Sequence, residues 1–544
     1  MDSDLIRRQV AQLIIVRASG SELDSQRKFP KWELSNFDLK RLIDEGIGGV
    51  IFLGGSINEL SERCKKLRIL AGRDLLLCAD VEEGIGQRFE GGTHLVPPMS
   101  IAIIYKKNPN KAISLAEQYG KCIAYQAIQC GLNWVLAPVC DINNNPRNPV
   151  INMRAWGEDP NTVSELVCAF QKGLKSYGVL SCLKHFPGHG DTTIDSHLAL
   201  PKISRKLEEL NEYELLPFKK AILNGADSVM TAHLLLSEID PYLPSTLSPN
   251  VLDNLLRRYI GFDGLIVTDA LLMKAISAKY DSGQASLLAF SAGADLIMMP
   301  SNPDEAIDAI SSELISGNIP LSKLENSLSR RRNALLKSSK FRSNIDISIA
   351  TEELSAESKS TKIFLSTLIS ESMDTDRVKL IDLNNIGTNL IRIKNESNSL
   401  INKSTPAFKI PRSLGFKNII FNEYSISPWK NKNYEPFDFD RFSQGKFFLQ
   451  LFIRGNPFMD NNYEEEPWIY TINQLQRHKL LAGLVVYGSH YFWHDIKFNL
   501  HPSIPAGYSP AQTPEAQLAI LSLLFKEAKN DILSQSYDTS QFTN

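Results

Sequence analysis

GVLSCLKHFPGHGDTTIDSH, residues 178–197, begins as a strand and ends as a loop. Its first half is an apolar run that stops at Lys184 and His185. Its second half gathers glycines, a proline, two aspartates and two more histidines, His189 and His197. The pattern of an apolar run closed by polar residues recurs along the chain. Such runs lie at QLIIVRA (12–18), GGVIFLGG (48–55), LLLCADVEEG (75–84), LNWVLAPVCDI (132–142), GVLSCLKHF (178–186), DSVMTAHLLL (227–236), FDGLIVTDAL (262–271) and ADLIMMP (294–300). Between them lie segments such as NPNKAISLAEQYGKCIAYQAIQCG and NTVSELVCAFQKGLKSYG, apolar at helical spacing and ending in a glycine stop. Continuous apolar strands alternating with helices predict an α/β fold with a parallel sheet buried on both faces. Eight such units predict a (β/α)8 TIM-type barrel, with a doubly wound open sheet as the alternative.

A barrel places functional residues at the C-terminal ends of its strands. Asp80 ends the third run, Asp141 the fourth, Lys184 and His185 the fifth, His233 the sixth and Asp269 the seventh. A single Asp in such a place reads equally well as a helix N-cap; polar residues at five strand ends in one frame read as a site. The catalytic barrel is expected over residues 1–345, a junction over 346–362 and a smaller C-terminal α/β, sandwich-like domain over 363–544, ending in a frayed tail. In that second domain, strands are expected at VKLIDL (378–383), KNIIFNEY (417–424), KFFLQLFIRG (446–455) and LLAGLVVYGS (480–489), before a helix at PEAQLAILSLLFKEAK.

The 544 residues carry a formal net charge of −2, which gives no field to draw nucleic acid or an anionic membrane. The apolar run Leu13 to Val16 is too short for a signal sequence, and no stretch approaches the roughly 20 apolar residues of a spanning helix. Seven cysteines, several in apolar runs and none in a CxxC pair, read as buried thiols. A cytoplasmic, reduced protein is expected.

Breaking a glycosidic bond with retention needs one group to attack the anomeric carbon and another to protonate the leaving oxygen and then activate water. Asp269, closing GLIVTDALLM, suits the first role. An imidazole titrates near neutrality and suits the second. Asp195 lies two residues from His197, close enough to accept one ring N–H and favour the imidazolium. Two other readings of the loop stay open: His185, His189, Asp195 and His197 include metal-ligand types, and histidines in a Gly-rich loop are often surface residues.

KHFPGHGDTTIDSHLALP, GFDGLIVTDALLM and NNNPRNPVINMRAWGEDP together resemble glycoside hydrolase family 3, in its β-N-acetylglucosaminidase (β-hexosaminidase) branch, over roughly residues 5–340. The resemblance implies a (β/α)8 barrel with an Asp–His dyad. By motif, it implies Asp269 as nucleophile, His197 as acid/base and Asp195 as its orienting partner. It further implies sugar contacts from Lys184, His185 and Arg154. Asp80 and Arg88 match the two ends of the family's DxEGGRVQR segment. That segment departs here: the chain reads DVEEGIGQR, with Glu83 for a glycine, Ile85 for an arginine and Gly86 for a valine. The arginine lost is a rigid bidentate donor.

The function so implied is a retaining exo-β-N-acetylglucosaminidase acting on short saccharides, with cell-wall muropeptides as substrate, and with no metal or cofactor. The partner expected is a small saccharide or muropeptide substrate, with neither nucleic acid nor membrane. The alternatives are a β-N-acetylglucosaminide phosphorylase using the same dyad, a sugar-binding protein with a degenerate site and a metal-dependent hydrolase. His189 and Asp191 read as loop-shaping residues. His490, His494 and His501 read as surface or packing residues, and the acidic triplet at 464–466 as a solvated turn.

Overall fold

The structure is a computed structural model that describes residues 3–192, 199–344, 355–356, 358–393, 400–422, 425, 427–429, 437–442, 445–454 and 466–525. The chain divides into two compact units, residues 1–362 and 363–544.

In the first unit, each of the eight apolar runs supplies a strand: β1 (Ile14–Ser19), β2 (Gly49–Leu53), β3 (Leu76–Ala79), β4 (Trp134–Val135), β5 (Cys182–Phe186), β6 (Ser228–Thr231), β7 (Leu265–Thr268) and β8 (Ile297–Met298). Strands β8-β1-β2-β3-β4 form one parallel sheet and β5-β6-β7 another. Parallel bridges Trp134↔Leu180 and Val267↔Leu296 join the two sheets at both margins, so the ring closes as a barrel. The open doubly wound alternative is thereby set aside. A short parallel pair, Lys202–Ile203 with Leu235–Leu236, stands outside the ring.

The barrel interior is apolar. Ile15, Ile51, Leu76, Cys78, Trp134, Leu180, Cys182, Met230, Leu265, Val267 and Met298 form one cluster, to which Ala334 and Leu335 of the helix Leu321–Asn344 also belong. The helices that wrap the strands start and stop where local chemistry dictates. Helix Ile57–Ala71 begins in a capping box of Ser56 and Glu59 and ends at left-handed Gly72. Helix Pro109–Gln129 is capped by the Asn108 side chain and Pro160–Lys175 by that of Asp159. All seven cysteines are free, and burial pushes the Cys64, Cys122 and Cys182 thiols up to about 12.

The second unit holds a five-stranded parallel sheet. Its strands are β9 (Ile386–Arg392), β10 (Lys417–Phe421), β11 (Lys446–Ile453), β12 (Leu481–Gly488) and β13 (Ala506–Ser509), in the order β10-β9-β11-β12-β13. Three of the four expected strands are present. VKLIDL (378–383) is not one: Leu380 lies exposed, and Ile381 anchors a connection by donating its amide to the Leu524 carbonyl. The strand lies just beyond, at β9. Its polar residues disguise it, because Asn389 is buried with partners at the Ala407 carbonyl and the Asn418 side chain. Glu466, read as part of a solvated turn, is instead three-quarters or more buried: both its oxygens accept from Arg392 at 3.0 Å, and Trp468 Nε1 donates at 2.6 Å. Glu464, Glu465 and the tail after Phe525 lie outside the described residues.

Candidate active site at the C-terminal mouth of the barrel

Side chains two residues apart on a strand share a face. Cys78, Cys182 and Val267 belong to the interior cluster. The next residues on that face are Asp80, Lys184 and Asp269, so the three expected site residues enter the same layer of the barrel mouth.

Lys184 is almost wholly buried, with its Nζ 2.8 Å from Asp80 Oδ1 and 2.6 Å from Glu82 Oε1. Glu82 also receives the guanidinium fork of Arg154, Nε to Oε2 and Nη2 to Oε1, both at 2.8 Å. The third arm of Arg154 donates to the Val150 carbonyl at 3.0 Å. Acid, base, acid and base thus alternate through Asp80, Lys184, Glu82 and Arg154. Burial alone would raise the Glu82 carboxyl, but Arg154 and Lys184 overcome it and hold the carboxyl well below the usual range. Burial works against the Lys184 ammonium, and Asp80 and Glu82 raise it nonetheless. Glu82 and Lys184 are therefore both charged at neutral pH. Asp80 uses Oδ1 for Lys184 and is partly exposed, which leaves Oδ2 for the hydroxyls of a ligand. Arg88 is exposed and donates Nε to the Asp80 carbonyl at 2.9 Å.

Asp141 organises the other side. It accepts from His185 Nδ1 at 2.7 Å, from the His185 amide at 3.2 Å and from the His189 amide at 2.7 Å. Burial would raise this carboxyl too, but His185 and His189 bring it below its ordinary value. The Asp141 contact fixes Nδ1 of His185 as the protonated nitrogen.

The chain after β5 is tied down as far as Thr192. Asn148 spends its whole amide here: Nδ2 donates to the carbonyls of His189 and Gly190, both at 2.8 Å, and Oδ1 accepts from the Val150 and Ile151 amides. Gly190 passes so close to Ile142 that a Cβ would stand 1.7 Å from its carbonyl oxygen. His189 is buried, with Nδ1 2.6 Å from Thr192 Oγ1, and Asp191 pairs with Arg205, which also holds Glu214. Both residues are thus built into the loop's base. Asp195 and His197 lie outside the described residues.

Asp269 closes β7. Its Oδ1 accepts from the Ala270 amide at 2.7 Å. His233 is an interior residue, with Nδ1 2.8 Å from Thr246 Oγ1 and Nε2 3.0 Å from the Ala270 carbonyl, so it supports the residue next to Asp269. Among the described residues, no three His, Cys, Asp or Glu side chains are grouped to hold a metal ion.

The altered DVEEGIGQR segment keeps a closed turn. The Gly86 amide donates to the Thr93 carbonyl and the Leu95 amide to the Glu83 carbonyl. Glu83 is buried, with Oε2 3.5 Å from His94 Nε2, and Ile85 is wholly buried. A Cβ on Gly86 would lie 2.3 Å from the Gly92 oxygen and 2.6 Å from the His94 nitrogen. Gly86→Val, which restores the family's residue, is therefore expected to cost about 1–3 kcal/mol of stability, measurable as a lower urea midpoint. A wild-type midpoint would show that the turn yields without cost.

Glu82 is the residue that reading strand ends overlooked. Its signal was its place, a second acid two residues after Asp80.

The family model for the glycosyl hydrolase family 3 N terminal domain matches residues 5–333. That for the bacterial glycosyl hydrolase family 3 C-terminal domain matches residues 381–526. A β-hexosaminidase of Neisseria meningitidis serogroup C is 34% identical over 278 residues, covering 50% of this chain and 76% of its own. One of Stenotrophomonas maltophilia is 31% identical over 304 residues, covering 55% and 87%. Among solved structures, a family 3 β-N-acetylglucosaminidase from Paenibacillus sp. superposes with a TM-score of 0.75 at 25% identity, covering 96% of both chains. A β-glucoside phosphorylase shares the fold, with a TM-score of 0.75 at 20% identity over 96% of this chain and 92% of its own. Both units are matched in order, and the N-terminal model alone covers more than half of the chain: the chain belongs to glycoside hydrolase family 3.

Proposed function

We propose that the protein is a retaining exo-β-N-acetylglucosaminidase that removes terminal β-GlcNAc from short saccharides. The observation that carries this reading is the Asp80–Lys184–Glu82–Arg154 network in the same mouth layer as Asp269. A fixed set of charged donors and acceptors there suits the hydroxyls and N-acetyl group of one sugar. The β-hexosaminidase relatives and the Paenibacillus enzyme support the choice of sugar. In this mechanism Asp269 attacks the anomeric carbon and forms a glycosyl-enzyme. His197, oriented by Asp195, protonates the leaving oxygen and then takes a proton from water. Lys184, His185, Arg154, Asp80 and Arg88 hold the sugar. No metal or cofactor enters. Muropeptide fragments are the proposed substrates and the cytoplasm the proposed site of action; no helix among the described residues is long and apolar enough to cross a membrane.

The test is turnover of 4-nitrophenyl β-GlcNAc by purified protein, with and without phosphate and with a strong chelator. Free GlcNAc under all conditions is the expected result. GlcNAc-1-phosphate formed only with phosphate would make the enzyme a phosphorylase. Loss of activity with chelator would point to a metal, and no turnover at all to a sugar-binding protein.

His197→Ala is expected to slow substrates with poor leaving groups about 10²–10⁴-fold, and 4-nitrophenyl β-GlcNAc much less, because an activated phenolate leaves without a proton. Equal losses on both would reduce His197 to a positional role.

A further inference from the structure

Strand β6 and the residues just after it grip the Asp269 segment at two points. The Asp269 amide donates to the Thr231 carbonyl at 3.3 Å. Two residues on, His233 Nε2 lies 3.0 Å from the Ala270 carbonyl. A carbonyl only accepts, so Nε2 carries a proton. The same carbonyl accepts the Met273 amide at 3.0 Å. Ala270 is bound at its other end too, where its amide donates to Asp269 Oδ1 at 2.7 Å. Ala270 therefore cannot turn without breaking a hydrogen bond at one end or the other. While it stays in place, its amide fixes the plane of the Asp269 carboxylate.

The imidazole is held from behind. Its Nδ1 lies 2.8 Å from Thr246 Oγ1, and that hydroxyl lies 2.9 Å from Thr231 Oγ1 and 3.0 Å from the Ala232 carbonyl. Thr246 sits in the short helical turn Ser245–Leu247, which Ser245 ties to the Leu234 carbonyl through its amide at 2.7 Å and its hydroxyl at 3.0 Å. Thr231, His233 and Thr246 are wholly buried. A buried polar chain is costly unless its members are satisfied, and once satisfied it specifies one arrangement. In the neutral ring with Nε2 protonated, Nδ1 accepts from Thr246. The threonine hydroxyls thus select the tautomer that aims a donor at Ala270.

We propose that His233 is a positioning residue for the nucleophile: acting through Ala270, it sets the orientation from which the Asp269 carboxylate attacks the anomeric carbon. This rests on the reading of Asp269 as nucleophile above. A misplaced attacking atom costs turnover steeply, since a shift of about 1 Å can cost about 10²-fold. Sugar binding should be spared, because Lys184, Glu82 and Arg154 hold one another without His233.

The test compares His233→Asn with His233→Gln on 4-nitrophenyl β-GlcNAc. A glutamine amide nitrogen can stand where Nε2 stands and donate to Ala270. An asparagine amide reaches only as far as Nδ1. His233→Asn is expected to lower kcat about 10–100-fold with little change in KM, and His233→Gln to recover most of that loss. Equal losses of kcat in the two variants, or a loss carried by KM, overturn the assignment and leave His233 a packing residue. Should neither variant fold, Thr246→Val carries the test, since it keeps the shape and removes the hydroxyl behind Nδ1. A lowered kcat with KM unchanged upholds the assignment, and any other result overturns it. If the wild type turns over no substrate, the nucleophile reading fails by itself. The hold on Ala270 is then read from hydrogen exchange of its amide. Exchange that is slow in wild type and His233→Gln and at least tenfold faster in His233→Asn upholds it, and equal exchange in all three overturns it.

Discussion

Asp269→Ala is expected to lower turnover of 4-nitrophenyl β-GlcNAc by about 10⁶-fold, the scale seen when a covalent nucleophile is removed. The aryl substrate makes this the cleanest measurement, since its leaving group needs little help and the attack on carbon carries the barrier. KM should change far less than kcat, because Lys184, Glu82 and Arg154 hold one another without Asp269. Asp269→Asn separates chemistry from shape. An amide oxygen can still accept from Ala270, as Oδ1 does now at 2.7 Å, but the nitrogen lone pair is a poor nucleophile. Added azide should restore turnover of Asp269→Ala and give a glycosyl azide of inverted configuration, since a small anion fits where the carboxylate stood. A variant with wild-type turnover would remove Asp269 from the mechanism.

The barrel was legible because its strands are buried on both faces, and β3 and β7, for example, therefore read as almost continuous apolar runs. The polar residue ending each run then marked the mouth. The second unit was harder. Strand β9 carries Thr388, Asn389 and Arg392, all buried, and the polarity of Asn389 and Arg392 is satisfied by partners distant in sequence. Strand β13 is only four residues long and contains a glycine. The site was legible as far as single motifs reach. Asp80 and Lys184 each announced themselves, but the ion pair between them spans 104 positions, and no spacing rule joins them. Glu82 went unnoticed because a charged residue just after an apolar run declares its role only when its face is known.

Glu82→Ala is expected to be the most destabilising single change in the barrel mouth. It leaves Lys184 with Asp80 alone and Arg154 with only the Val150 carbonyl, both cations still buried. Breaking a buried pair on one side costs about 3–5 kcal/mol, because the surviving charge is not rehydrated. The urea midpoint of the barrel's transition should fall accordingly, and a loss below about 1 kcal/mol would mean that water reaches Lys184 once the carboxylate is gone. Glu82→Gln fills the same space without the charge, so its deficit isolates electrostatics from packing. The pH dependence has a definite sign. The Glu82 carboxyl is lowered on folding from 4.5, so its stabilisation is present above that value and is lost only as pH falls through the much lower folded value. The Lys184 ammonium is raised from 10.5, so its share is present below that value and is lost as pH rises through the higher folded one. The gap between wild type and Glu82→Gln should therefore stay level from about pH 5 to about pH 10 and close only in stronger acid or base. A gap that instead narrowed between about pH 6 and pH 7 would follow a histidine. It would mean that the charges of Glu82 and Lys184 do not set the difference.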